Sequence, residues 1–291
     1  MFRPVMDAYR SPAGRSAVQR WCSAALDRWT VPHRTLRLDV PLGDGSVATH
    51  VTVVGEGAPR YLWLPGTASS ATSSLTALEV LSRHGTVWAL DLPGQPGLSQ
   101  PERPRHDLTV WYSTWLEAVL DEIATLPGSG DVTLVGSSLG AAVALSADRP
   151  AVTARFLLAP GGLLPVSTSP SLVRDHTRWS LHASPASARA LMRHLVAPGE
   201  PVSDCAVEWL TLVGRACKTI RSPRPLPQHY LDRIDGAPLR VVVGEDDKLV
   251  PPTPLTSSVA RRTSARVTVL EGCGHLIPSD RWEQVFRVLP A

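Results

Sequence analysis

Short apolar runs alternate along most of the chain with longer stretches whose apolar positions recur at helical spacing. The runs are Tyr61–Leu64, Thr86–Leu90, Val132–Val135, Arg155–Leu158, Leu239–Val243 and Arg266–Leu270, and each ends at a turn rich in Gly, Pro or Asp. A strand covered on both faces reads as a near-continuous apolar run, and strands separated by helices run parallel. The pattern therefore predicts an α/β fold with a mostly parallel, doubly wound sheet. The stretch from about Thr109 to Leu126 puts Trp111, Trp115, Val119 and Ile123 on one side of a helix, which predicts core packing for both tryptophans. Ahead of this region, Ser11-Pro12 supplies a capping side chain and a first-turn proline. Val18, Trp21, Cys22, Ala25, Leu26 and Trp29 then share a face, predicting a helix over about 12–29 that Pro32 stops. Two extended segments, Thr35–Val40 and Val47–Val54, flank the turn-rich stretch Pro41 to Gly45.

The rhythm breaks after Leu158. Residues 161–230 show no strand pattern but hold two predicted helices. One opens at Ser184-Pro185 with Ala188, Leu191, Met192 and Leu195 in register; the other, near Ser203 to Thr219, aligns Ala206, Leu210, Val213 and Cys217. The stretch is too long for a simple loop. It predicts a helical insertion, 161–230, between two strands of a core formed by 1–160 (the N-terminal helix included) and 231–291.

Composition narrows the class. The chain has 291 residues, 43% hydrophobic and 19% charged, which is globular rather than disordered or fibrous. The 29 basic and 26 acidic residues leave +3, with no basic run, which argues against a nucleic-acid partner. The N-terminus has no apolar stretch of signal-peptide length, and nothing approaches the roughly 18 apolar residues of a membrane span. The expectation is a cytoplasmic protein with no membrane partner. Cys22, Cys205, Cys217 and Cys273 are scattered without a CxxC pair, as expected for reduced thiols rather than a zinc site. Charge is uneven: the insertion carries eight basic residues against four acidic, the remainder 21 against 22. Either an insertion arginine faces inward to bind a carboxylate or other polar acceptor on a ligand, or these are solvated residues on the outer faces of amphipathic helices.

One motif carries chemistry. The run Val132–Val135 leads into Gly136-Ser137-Ser138-Leu139-Gly140 and then a helix-like Ala-rich segment. This is G-x-S-x-G in strand–turn–helix context, where a sharp turn projects the Ser138 hydroxyl and small neighbours permit the tight backbone. The following helix directs its N-terminal amides toward developing negative charge. A serine hydroxyl needs a base held by an oriented acid. Among nine histidines, His275 alone combines a position just past a strand with flanking glycine, in Gly272-Cys273-Gly274-His275. The acid is expected between Ser138 and His275 in chain order, where Gly244-Glu245-Asp246-Asp247 offers Asp246 and Asp247 at a strand end.

From about Thr35 onward the chain resembles the α/β-hydrolase superfamily, on four motifs in order: LPGT, DLPG, GSSLG, and GEDD with GCGH. The resemblance implies an α/β-hydrolase fold and makes the insertion a cap or lid. The family's spacing, a glycine followed by two variable positions and then the acid, selects Asp247 and leaves Asp246 as the alternative. It also implies an oxyanion hole from the backbone N–H groups of Leu139 and Thr67. Pro65 stands where many relatives have His, and the Asp91–Gly97 turn is one residue longer than usual, with Asp91 in a structural role. The implied activity is a serine hydrolase cleaving a small-molecule ester, thioester or related acyl bond through Ser138, His275 and Asp247. No cofactor or metal is required, and the substrate lies between core and cap. Alternatives on the same scaffold are a non-hydrolytic enzyme (cyclase, acyltransferase or lyase) and a small-molecule receptor.

Overall fold

The computed structural model describes residues 5–218 and 222–290. The chain begins with strand β1 (Val5–Asp7), helix α1 (Pro12–Arg28), β2 (His33–Leu42), β3 (Gly45–Val54) and β4 (Tyr61–Leu64). A short 3-10 turn, Ala71–Ser73, leads to α2 (Leu75–Ser82), β5 (Val87–Leu90), β6 (Glu102–Pro104) and α3 (Leu108–Ala124). Then come β7 (Val132–Ser137), α4 (Leu139–Ser146) and β8 (Val152–Leu158). Four helices follow: α5 (Pro170–Leu181), α6 (Pro185–Met192), α7 (Asp204–Ala216) and α8 (Gln228–Asp232). The chain closes with β9 (Leu239–Gly244), α9 (Pro252–Arg262), β10 (Arg266–Leu270) and α10 (Trp282–Phe286).

Eight strands form one sheet in the order β10-β9-β8-β7-β4-β5-β3-β2. The β2–β3 and β3–β5 pairs are antiparallel and the rest parallel, so the sheet is mostly parallel as expected. Alternation along the strands loads both faces. Leu62 and Leu64 join the cluster beneath α3, α4, α8 and α9, whereas Tyr61 and Trp63 join the one beneath α2 and α10. Trp111 and Trp115 are buried in the first cluster, in the core as their spacing predicts. The small β1–β6 pair lies outside the sheet and has no counterpart in the apolar pattern. Each of its strands is three residues long and exists only through its distant partner.

The insertion contains a helix that periodicity does not predict, α5. Its first turn carries the same signal as two others. Ser11, Ser169 and Ser184 each precede a proline, and each accepts a hydrogen bond from the backbone N–H three residues on. Helix α5 was invisible to periodicity because Trp179 is its one buried residue. Thr219, the expected end of the next helix, lies outside the described residues; α7 ends at Ala216.

The N-terminal helix is expected with the sheet but packs elsewhere. Val18 and Cys22 of α1 share an apolar cluster with Trp179, Leu191, Val207, Trp209 and Val213 of the insertion. Gly14 sits so close to α7 that an added Cβ would lie 3.2 Å from Ala216. Arg10 N donates to Ala216 O and Lys218 N to Ala8 O, so the start of the chain straps the end of α7. Among the described residues no helix is long and apolar enough to cross a membrane.

One buried cation supports the helix that follows Ser138. Arg155 of β8 is 1% exposed; its guanidinium donates to the carbonyls of Ala144 at 2.9 Å and Ala147 at 2.6 Å, at the C-terminal end of α4. Burial lowers its pKa to about 10, which leaves it charged at neutral pH. Replacing it strands two buried acceptors, at about 1–3 kcal/mol each. Arg155→Met is expected to reduce the unfolding free energy in urea by roughly 2–4 kcal/mol, whereas Arg149→Met, on the surface, changes it by less than about 1 kcal/mol.

Candidate active site

Ser138 occupies the turn between β7 and α4 with φ 49° and ψ −108°, a conformation that L-residues rarely adopt. Its backbone is fixed from both sides. Ser138 N donates to Leu158 O, and Ser138 O accepts from Ala141, Ala142 and Gly161. The two glycines of the pentapeptide are there because nothing larger fits. A Cβ on Gly140 would lie 2.0 Å from Leu64 O, and one on Gly136 2.5 Å from Gly140 O. Helix α4 is thereby pressed against β4 and β7, and the Ser138 side chain is left at the C-terminal edge of the sheet.

His275 follows β10 on a loop that crosses the end of β9. A Cβ on Gly244 would lie 2.2 Å from Gly274 O, so this crossing also requires glycine. His275 Nε2 lies 3.3 Å from Ser138 Oγ, and His275 Nδ1 lies 2.8 Å from Asp247 Oδ2. Asp247 is 2% exposed, and its other oxygen, Oδ1, accepts from the backbone N–H groups of Leu249 and Val250, both at 2.9 Å. Those two amides hold the carboxylate in the orientation that meets the imidazole. Asp246, the alternative acid, is half-buried, and among the described residues its hydrogen bonding is through the backbone, its N–H donating to Cys273 O. The structure thus brings Ser138, His275 and Asp247 into one hydrogen-bonded chain and leaves Asp246 outside it.

The loop after β4 runs past Ser138. An added Cβ on Gly66 would be 3.4 Å from Ser138 Cβ. Thr67 follows directly, and Leu139 opens α4. Among the described residues neither Thr67 N–H nor Leu139 N–H donates to a protein acceptor. Asp91, 1% exposed, accepts from Ala71 N at 2.7 Å and Leu98 N at 2.8 Å, and so ties the Thr67 loop to the longer Asp91–Gly97 turn. Burial raises the Asp91 carboxyl above the usual carboxylate range.

A cavity of about 970 Å³ lies over Ser138 and His275, between the sheet edge and α5, α6 and α7. Its apolar wall includes Leu172, Leu191, Met192, Trp209, Val213 and Trp282. A hydroxyl-bearing wall, with Ser73, Ser74 and Thr76, faces it from the start of α2. Burial pushes the imidazole of His176, also in the lining, below its ordinary pKa. The described insertion arginines do not line the cavity. Arg174 pairs with Asp175, Arg189 with Asp204, Arg215 donates to Ala183 O, and Arg178, Arg193 and Arg224 are exposed. The described insertion arginines are thus on its outer faces, whereas Lys218 and Glu200 of the insertion line the cavity together with Arg10; Arg221 lies outside the described residues. Among the described residues no cluster of three or more His, Cys, Asp or Glu side chains is placed to hold a metal ion.

Sequence reasoning missed the groups that brace this arrangement, among them the Leu249 and Val250 amides and the Gln95 side chain, which accepts the Ala68 N–H at 3.2 Å. A backbone amide leaves no trace in residue identity, and Gln95 sits in a turn whose only local signal is Pro and Gly.

A family model described as the alpha/beta hydrolase family matches residues 51–288. No curated protein matches the chain. Similar solved structures include naproxen esterase (carboxylesterase NP) from Bacillus subtilis, at TM-score 0.70 and 18% identity, covering 92% of this chain and 93% of that one. Carboxylesterase CesB from the same organism has TM-score 0.69 and 14% identity and covers 95% of each chain. A thermophilic esterase from Thermogutta terrifontis has TM-score 0.60 and 19% identity, covering 88% of this chain and 95% of that one. At these identities the likeness is one of fold.

The short Asp247–His275 contact predicts a strongly deshielded imidazole N–H resonance in the proton NMR spectrum. Asp247→Asn is expected to abolish that signal and Asp246→Asn to retain it.

Proposed function

The chain belongs to the alpha/beta hydrolase family, and from that premise we propose that it is a serine hydrolase acting on a small-molecule ester, thioester or related acyl bond. The observation that carries this reading is the continuous chain Asp247–His275–Ser138, with spacings of 2.8 and 3.3 Å, at the floor of the cavity. In this reading Ser138 Oγ attacks the substrate carbonyl carbon as His275 Nε2 takes the hydroxyl proton. Asp247 fixes the tautomer that keeps Nε2 free to accept and stabilises the imidazolium that forms. The N–H groups of Thr67 and Leu139 donate to the oxyanion, each contributing roughly 3 kcal/mol to the transition state in comparable sites. The tetrahedral intermediate collapses, His275 returns the proton to the leaving alcohol or thiol, and an acyl-Ser138 ester remains. Water, deprotonated by His275, then attacks that ester and releases the carboxylic acid and free Ser138.

The insertion acts as the cap of this site, and its apolar helices line the space for the substrate. A largely apolar acyl group fits the wall formed by α5, α6 and α7, while Arg10, Lys218 and Glu200 give the same cavity a charged portion.

The reading is tested with p-nitrophenyl butyrate and a fluorophosphonate probe. The wild type is expected to hydrolyse the ester and to be labelled, and Ser138→Ala to lose the label with a kcat at least about 1,000-fold lower. Asp247→Asn should lower kcat by about 10,000-fold and Asp246→Asn by less than about two-fold. In H₂18O the released butyrate should carry one label; an unlabelled product would point to transfer or cyclisation instead. Absence of both labelling and turnover would overturn the hydrolase reading.

A further inference from the structure

The insertion reaches the Thr67 loop through one hydrogen bond. Trp209 of α7 is 6% exposed, and its indole Nε1–H donates to the carbonyl oxygen of Ala68 at 2.8 Å. Ala68 directly follows Thr67 and has φ 58°, left-handed backbone for a residue with a Cβ. Such a conformation costs on the order of 1–2 kcal/mol and persists only where its surroundings hold it. Two groups do so from opposite sides. On the core side Gln95, 2% exposed, accepts the Ala68 N–H at 3.2 Å and donates from its own amide to Tyr112 Oη at 3.3 Å. On the insertion side stands Trp209.

Trp209 is itself fixed. Its ring packs on Trp21 of α1 with centroids 4.7 Å apart, and Trp21 Nε1 donates to Glu208 at 3.2 Å. Ala68 packs against the same apolar cluster that α1 shares with the insertion. The carbonyl that Trp209 holds therefore belongs to a strained residue one position beyond the proposed oxyanion donor; releasing it would let Ala68 relax and, through the intervening Thr67–Ala68 peptide, shift the Gly66–Thr67 amide.

We propose that Trp209 is a positioning residue: by holding the Ala68 carbonyl it aims the Thr67 N–H at the oxyanion, so the insertion helps to form the oxyanion hole as well as the substrate cavity. The proposal rests on the serine hydrolase reading. It implies that losing the Trp209 donor weakens transition-state stabilisation while leaving ground-state binding nearly unchanged.

The test compares Trp209→Phe, which keeps an aromatic ring against Trp21 but has no donor, with Val207→Ala. Val207 is a buried α7 residue outside the cavity lining, and its truncation loosens the same packing while leaving the bond to Ala68 intact. Trp209→Phe is expected to lower kcat for p-nitrophenyl butyrate roughly 5- to 10-fold, the effect of one hydrogen bond. Because Trp209 also lines the cavity, the KM criterion, a change of less than about two-fold, is read on Gln95→Met, which lies outside the lining. The inhibition constant of phenylboronic acid, whose Ser138 adduct is tetrahedral, should rise by the same factor. Val207→Ala should lower the melting temperature yet keep the wild-type kcat. If Trp209→Phe does not fold, Gln95→Met frees the same loop from the core side and should show the same signature. Unchanged kcat in Trp209→Phe, or an equal loss in Val207→Ala, would overturn the proposal. A wild type that labels at Ser138 while Trp209→Phe keeps full kcat removes only this inference. A wild type that neither labels nor turns over removes the hydrolase reading and this inference with it.

Discussion

The turn at Ser138 combines a positive φ with a full set of backbone partners, and the rest of the site is arranged around the close packing that makes the turn tolerable. Helix α4 is buried along its whole length, and its two ends are satisfied differently. At the N-terminal end the Ser138 carbonyl accepts three backbone N–H groups. At the C-terminal end the Arg155 guanidinium meets the terminal carbonyls. A buried helix end without partners would cost several kcal/mol, and the strained turn would have no rigid support. The absence of side chains at Gly136 and Gly140 completes the constraint, because α4 can approach the Leu64 carbonyl only where there is no Cβ.

The loops around Ser138 are held by different kinds of contact, and the insertion meets each of them. Leu276 N, next to His275, donates to Leu195 O; Ser167 N donates to Leu249 O, on the Asp247 loop; and Trp209 donates to Ala68 O. The same helices supply the apolar wall of the cavity. Cavity shape and site geometry therefore share one set of packing contacts, so a substitution chosen to reshape the cavity also perturbs the loops at its floor. His275 illustrates the coupling: a Cβ on its neighbour Gly274 would lie 2.6 Å from Leu195 O, which leaves the His275 loop little freedom to shift independently of α6.

Where side chains are buried on both faces, as in β4, β7 and β9, the apolar run itself marks the strand, and the residues at its end can be read as site candidates. Ser138 was legible for that reason, whereas His275 follows the half-exposed edge strand β10 and was legible through the glycine beside it. The distinction between Asp246 and Asp247 was not local: it depends on amides two and three residues further on and on where the β10 loop crosses. Helix α5 was hidden by its exposure, although its Ser169-Pro170 start was in plain view. The position of α1 was hidden for another reason. Helical periodicity identifies the apolar face, but nothing in a face of Val18, Cys22 and Leu26 says whether a sheet or other helices will cover it.

The strap formed by the N-terminal segment has a consequence for the order in which the molecule is made. Helix α1 is complete at Arg28, yet the α7 surface that covers it ends at Ala216. At translation rates of about 5–20 residues per second, the apolar face of α1 waits on the order of ten to forty seconds for its partner. During that interval the nascent chain carries an amphipathic helix with no place to dock, and a growing sheet whose site loops lack the insertion that braces them. Closure of this long-range contact joins the N-terminal segment to the end of α7. The nascent chain therefore presents the apolar face of its first helix, along with its unfinished sheet, to chaperones and to aggregation.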